Sequence, residues 1–147
     1  MTHRYAVIGA GRQGTAAAYD FGRFGEADVI WMADSDAAQA ERSALRVNEL
    51  LGRSLARSFP LDAGDPHSVA AWLRKERIEA FLSAVPYFFN LGLTEAAIQA
   101  GVGMTDLGGN SDVVLEQLAR TEDAAAAGCA IVPDCGQVPG MGTSLIV

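Results

Sequence analysis

The sequence predicts an α/β fold: a doubly wound parallel sheet of about six strands with helices on both faces. Three observations carry this expectation. Short apolar runs alternate with helix-patterned segments along the whole chain, the signature of strands joined by helical crossovers. The apolar runs end in small and polar residues, which gathers such residues along one edge of the sheet. A glycine-rich turn follows the first run directly.

Taken in order, Tyr5-Ala6-Val7-Ile8 reads as a buried first strand ending in glycine. Arg12 to about Arg23, rich in alanine and closing at Gly22 and Gly25, reads as a close-packing helix. Val29 to Ala33 is the second strand, and Asp36 caps a helix that runs to Leu50-Leu51 and stops at Gly52. A third strand is expected from Arg57 to Leu61. Asp65-Pro66-His67 then opens a helix through Val69, Trp72 and Leu73, with proline in its first turn. Ala80 to Val85 is the fourth strand, stopped by Pro86, and Leu91 to Ala100 is a helix ended by Gly101. Gly103 to Asp106 is a short fifth strand. A single helix from Ser111 to about Ala127 and a sixth strand, Cys129 to Val132, complete the pattern.

The 147 residues suit one domain with a real core. No apolar run approaches the roughly 20 residues a bilayer span needs. The amino end, Met1 to Tyr5, shows no secretory pattern, so a cytoplasmic protein is expected. A net charge of −7 repels phosphate backbones and argues against nucleic acid as a partner. Cys129 and Cys135 fall on one expected strand. Extended chain would part them by about 20 Å, whereas bonded cysteines need Cα atoms about 4.4–6.8 Å apart. No zinc or haem spacing is present, and no metal is expected. The closing run Ser144 to Val147 is apolar without a terminator, which reads as an interruption inside an element.

The chemistry centres on Gly9-Ala10-Gly11-Arg12-Gln13-Gly14, a G-x-G-x-x-G turn between a strand and a helix. Gly9 permits the tight turn, Gly11 lets backbone approach a diphosphate, and Gly14 lets the helix pack on the strand. Free N–H groups at the helix start face the anion. Asp34 ends the second strand about 20 residues beyond Gly14, where a carboxylate accepts hydrogen bonds from ribose hydroxyls. It would repel the extra phosphate of NADP, and Ser35 and Asp36 supply no compensating cation, so NAD is favoured over NADP. Arg12 is the counterweight, placed to reach either a ribose phosphate or the diphosphate. The plainer reading, ordinary turn residues of an α/β protein, leaves the register of strand, turn, helix and acid unexplained. Asp62 and Ala63 are expected near the adenine, and Ala84, Val85 and Pro86 under the nicotinamide-side ribose. The whole describes a Rossmann-type domain.

Leu82-Ser83-Ala84-Val85-Pro86-Tyr87-Phe88-Phe89-Asn90-Leu91-Gly92-Leu93 resembles the saccharopine dehydrogenase family, and within it the lysine 6-dehydrogenases. Asp106-Leu107-Gly108-Gly109-Asn110 and the stretch from Val132 to Met141 carry the same likeness. The resemblance implies an NAD(P)-dependent oxidoreductase acting on a C–N bond of an amino acid. For a lysine 6-dehydrogenase it implies hydride transfer from the side-chain amine carbon to NAD, then hydrolysis of the imine with release of ammonia. Family members usually continue into a substrate domain, and none is expected within these 147 residues.

Asp106 and Asp134, at the ends of adjacent strands, are the candidates for holding a substrate ammonium or positioning water. Tyr87 and Asn90 flank the cofactor cleft and are candidates for touching substrate, although Tyr87-Phe88-Phe89 equally suits a packing cluster. Cys135 has no base after it and reads as a small residue, Cys129 as packing. His3 and His67 are unfavoured for acid–base work, and Trp31 and Trp72 read as core. The expected function is the NAD-binding domain of an amino-acid oxidoreductase with lysine as substrate. A saccharopine-type enzyme and a standalone NAD-binding module are the alternatives. Exposed sheet or core surface would make the chain a homo-oligomer.

Overall fold

The computed structural model describes residues 3–137 and 140–146. Met1, Thr2, Val147 and, within the Val132 to Met141 motif, Val138 and Pro139 lie outside the described residues. β1 (His3–Ile8), β2 (Ala27–Asp34), β3 (Ala56–Pro60), β4 (Ala80–Ser83), β5 (Gly103–Asp106) and β6 (Ile131–Val132) form one sheet. Its order is β3-β2-β1-β4-β5-β6, and every pair is parallel. The doubly wound α/β expectation therefore holds.

Chain order reverses between β1 and β4, and helices leave these two strands toward opposite faces, which opens a crevice there. Register sets its floor. Ile8 lies abreast of Ala33 on one side and Ser83 on the other, and Ser83 abreast of Asp106. All four strands thus release the chain at one level.

Both faces of the sheet are covered, so its central strands are apolar on both sides. Val7, Ile30, Met32 and Leu82 pack beneath α1 (Arg12–Phe24) and α2 (Ala37–Leu51). Ala6, Ile8, Phe81 and Met104 point the other way. They meet Trp72 and Leu73 of α3 (Pro66–Lys75) and Leu93 of α4 (Asn90–Ala100). Gly14, Ala18 and Gly22 bury a stripe of small side chains that brings α1 close to the sheet. Asp36 caps α2 through Ala38 N–H, Asp65 caps α3 through Ser68 N–H, and Gly52 and Gly101 end α2 and α4, all as expected.

Four expectations need correction. The single helix from Ser111 to Ala127 is two, α5 (Ser111–Leu118) and α6 (Thr121–Ala127). Thr121 Oγ1 donates to the Leu118 carbonyl at 2.5 Å, taking an acceptor that a continuous helix would offer to backbone. The sixth strand is only Ile131–Val132, so Cys129 and Cys135 do not share a strand; both are free thiols. A turn of 3₁₀ helix, Tyr87–Phe89, precedes α4, which therefore begins at Asn90. Trp31 is half-buried and packs edge-on against Phe59 and Trp72, with the Arg57 guanidinium 5.7 Å from its ring centre. Trp72 is core, as expected. Gly140 forms an isolated parallel bridge with Gly136, and α7 (Met141–Ile146) follows it.

At the opposite edge of the sheet, Glu79 accepts from the His3 ring at 2.9 Å and from Arg4 N–H at 3.1 Å. The His3 bond, more than any other influence, lowers the Glu79 pKa. A depressed carboxylate stabilises the fold above its unfolded pKa, and that contribution fades as pH falls through the folded value. Glu79→Gln is accordingly expected to lower the midpoint of thermal unfolding slightly at neutral pH. Both side chains are more than a third exposed, so solvent screening keeps the effect small. The difference should vanish in acid below the depressed pKa, as measured by circular dichroism.

Candidate functional site

Two clefts open at the carboxyl edge of the sheet, one on each side of a ridge formed by Val85 and Pro86. The first, about 310 Å³, lies over β1, β2 and β3. Gly9, Gly11, Asp34, Ser35, Asp62, Ala63 and Ala84 line it with the ridge. The second, about 560 Å³, is lined by Gln13, Tyr87, Gly108, Gly109, Asp134 and Cys135 among others, and shares the ridge.

The three glycines of the turn separate into different duties. Gly9 has φ +103°, and a Cβ there would stand 2.6 Å from the Ala84 carbonyl oxygen. It serves the turn and also the approach of the chain leaving β4. A Cβ on Gly14 would collide with the Gly9 carbonyl, so this position holds α1 against the turn. Gly11 is different: its backbone is extended and a Cβ would meet nothing within 4 Å. That room is open to a ligand. No side chain caps α1, which leaves its first-turn N–H groups available to an anion.

Asp34 completes the first cleft. One carboxylate oxygen accepts from Ala10 N–H at 2.8 Å, the other from Asp36 N–H at 3.0 Å. A carboxylate offers about four acceptor sites, so a pair of sugar hydroxyls still finds acceptors there. Asp62 holds its own turn through Gly64 N–H at 2.8 Å, with Ala63 buried beside it. Ile8, Leu61 and Phe89 supply the apolar wall. Sequence reasoning missed these three, and the aromatic run ending in Phe89 was the only local signal for any of them. Arg12 is exposed at the start of α1 and lines neither cleft.

Around the second cleft the sequence candidates divide. Tyr87 is exposed and in the wall. Asp134 is half-buried and in the wall, and its φ of +62° is rare for a residue other than glycine. Asp106, however, is 0% exposed. Its carboxylate accepts from Gly108 N–H at 2.7 Å, Asp134 N–H at 3.0 Å and the Gln117 amide at 2.8 Å. A group so enclosed braces the loops after β5 and β6 and does not face the cleft, which corrects the expectation of substrate contact. Asn90 is likewise buried at 2% exposure, accepting from Ser83 Oγ at 2.7 Å. It joins α4 to the end of β4, away from the position expected for touching substrate.

Two clefts that share the Val85–Pro86 ridge, an uncapped helix start with ligand room at Gly11 and a carboxylate at the next strand end fit a nicotinamide dinucleotide. The chemistry of the donor set matches its parts: amides for the diphosphate, Asp34 for the ribose, apolar walls for the adenine. This defines the class, a dinucleotide-binding α/β domain. The family model described as "Saccharopine dehydrogenase NADP binding domain" matches residues 5–132, and the chain belongs to that family.

Among solved structures, the chain is similar to the L-Glu-forming saccharopine dehydrogenase of Saccharomyces cerevisiae, with a TM-score of 0.73 and 17% identity. That match covers 95% of this chain and 28% of the yeast enzyme. It is also similar to quinate dehydrogenase from Corynebacterium glutamicum in complex with NAD, with a TM-score of 0.59 and 20% identity over 94% of this chain and 46% of that one. A UDP-glucose-4-epimerase from Stenotrophomonas maltophila with bound NAD has a TM-score of 0.68 and 17% identity, over 89% of this chain and 52% of its own. At such identities the likeness concerns the fold. The chain spans between about a quarter and a half of these proteins' lengths.

Proposed function

We propose that this chain is the NAD-binding domain of an amino-acid oxidoreductase that acts on a C–N bond, with the side-chain amine of lysine as substrate. The observation that carries the cofactor choice is Asp34, whose carboxylate lines the first cleft with its two backbone donors in place. A fixed negative charge beside the ribose hydroxyls disfavours the additional phosphate of NADP, although the family description names that cofactor. The nearby cation Arg42 does not offset it, since its guanidinium is held 2.9 Å from Gln39 Oε1 and 3.7 Å from Asp36.

When bound, the nicotinamide supplies the hydride acceptor. The protein's share is binding and orientation. The start of α1 would hold the diphosphate, Asp34 the ribose hydroxyls, and Val85 and Pro86 would lie between the two clefts that the cofactor enters. Asp134 presents a carboxylate to the second cleft, where a substrate ammonium would be held beside Tyr87. Asp106 acts beneath it as a positioning residue through the Asp134 backbone. The lysine assignment rests on the Leu82 to Leu93 resemblance, and the saccharopine reaction is the alternative; assay of the full-length polypeptide with each substrate separates them. Leu115 and Leu118 on α5 and Val132 on the edge strand are exposed, which supports self-association, read by light scattering.

Titration with NADH and NADPH, followed by nicotinamide fluorescence, tests the cofactor reading. NADH should bind more tightly. Asp34→Ser should weaken NADH roughly 10- to 100-fold, from loss of charge-assisted hydrogen bonds worth about 1.5–3 kcal/mol, and should narrow the preference over NADPH. Equal or absent binding of both dinucleotides by the unaltered chain would sink the assignment.

A further inference from the structure

The glycine turn is held by more than its glycines. Ala10, between Gly9 and Gly11, is wholly buried. Its N–H donates to Asp34 at 2.8 Å. Its carbonyl accepts twice from α2, from Gln39 Nε2 at 2.6 Å and from Ser43 Oγ at 2.6 Å. A carbonyl has two lone pairs, and both are filled by side chains lying about 30 residues downstream. Ser43 is itself 3% exposed and also accepts from Gln39 Nε2 at 3.1 Å. The contacts close into a ring: Asp34 accepts from Asp36 N–H, Asp36 faces Arg42, Arg42 donates to Gln39, and Gln39 returns to Ala10.

We propose that Gln39 and Ser43 are positioning residues for dinucleotide binding, clasping the Ala10 peptide so that the turn and the first N–H groups of α1 stand preset toward a diphosphate. The proposal rests on the dinucleotide reading above and adds residues that no motif contains. Neither side chain lines the first cleft, so their effect passes through the backbone they hold. Without the clasp, the buried carbonyl lacks partners and the peptide rotates to find them. The ligand must then restore the turn on binding, which lowers affinity without removing a contact.

The experiment uses ADP and adenosine as probes of the 147-residue chain, with affinities from calorimetry and folding from circular dichroism. Ser43→Ala and Gln39→Met should each weaken ADP about three- to tenfold, the range of one lost hydrogen bond. The double variant should weaken it further. Adenosine, which has no phosphate, should bind as before. Gln39 is only half-buried, so its replacement keeps the test open should Ser43→Ala fold poorly. Folded variants that bind ADP like the parent, or that lose ADP and adenosine in equal measure, would overturn the clasp while leaving the cofactor reading intact. A parent chain that binds neither ADP nor NADH overturns both.

Discussion

A valine at Gly11 is expected to abolish dinucleotide binding and leave the fold standing, whereas an alanine at Gly14 should unfold the chain at far lower temperature. The contrast follows from what surrounds each Cβ. At Gly11 the added Cβ enters open space with the backbone already extended, so the protein loses only about 1 kcal/mol from a poorer helix-cap residue. The valine side chain fills the room a diphosphate needs. At Gly14 even one methyl collides with the Gly9 carbonyl and crowds Val7. Backbone yields less readily than a side chain, so the cost belongs at or above the roughly 1–3 kcal/mol of ordinary overpacking. For a domain of this size each kcal/mol moves the unfolding midpoint by about 2–4 °C or slightly more. Thermal unfolding paired with ADP titration reads both effects. Undiminished ADP binding by folded Gly11→Val would remove the diphosphate from this turn.

Asp106→Ala should be the most damaging change at the opposite cleft. It strips acceptors from the part-buried Gly108 and Asp134 N–H groups and from the fully buried Gln117 amide. Unsatisfied buried donors cost about 1–3 kcal/mol apiece. With partial relaxation, the total belongs near the 3–5 kcal/mol typical when one side of a buried charged network is removed. Asp106→Asn keeps the shape and an acceptor for the two backbone amides but turns its NH2 toward the Gln117 amide, and should lie between Asp106→Ala and the parent. Hydrogen exchange should quicken at Gly108 and Asp134 in Asp106→Ala, because both amides lose their shared acceptor Oδ1. It should quicken much less in Asp106→Asn, whose amide oxygen can take that place. ADP affinity should hold in folded Asp106→Asn, since the first cleft shares no bond with this network. An Asp106→Ala variant as stable as the parent, with unchanged exchange at those amides, would show that the carboxylate braces nothing.

These expectations divide according to where the information resides. Gly9, Gly11, Gly14 and Asp34 were legible because their duties are local: a turn, a helix start and a strand end within about 25 residues. Asp106 and Asp134 looked alike by the same local rule, both acids at strand ends, yet one is sealed and the other faces a cleft. What separates them is Gln117, brought over Asp106 by the packing of α5 and carrying no mark in its own neighbourhood. The helix from Ser111 also looked continuous, because a threonine hydroxyl capturing the Leu118 carbonyl is indistinguishable in sequence from one facing water.

By itself, then, the chain's order of residues determined the parallel α/β architecture, the glycine turn and the acid at the end of β2. Periodicity, turn chemistry and motif spacing are properties of neighbours along the chain. Only the tertiary structure decided that Gln39 and Ser43 hold Ala10, that Asn90 and Asp106 are buried braces, and that the Val85–Pro86 ridge parts two clefts. Those facts depend on which side chains the crossovers bring together across the sheet, and hydrogen bonds between segments 30 residues apart leave no periodic trace.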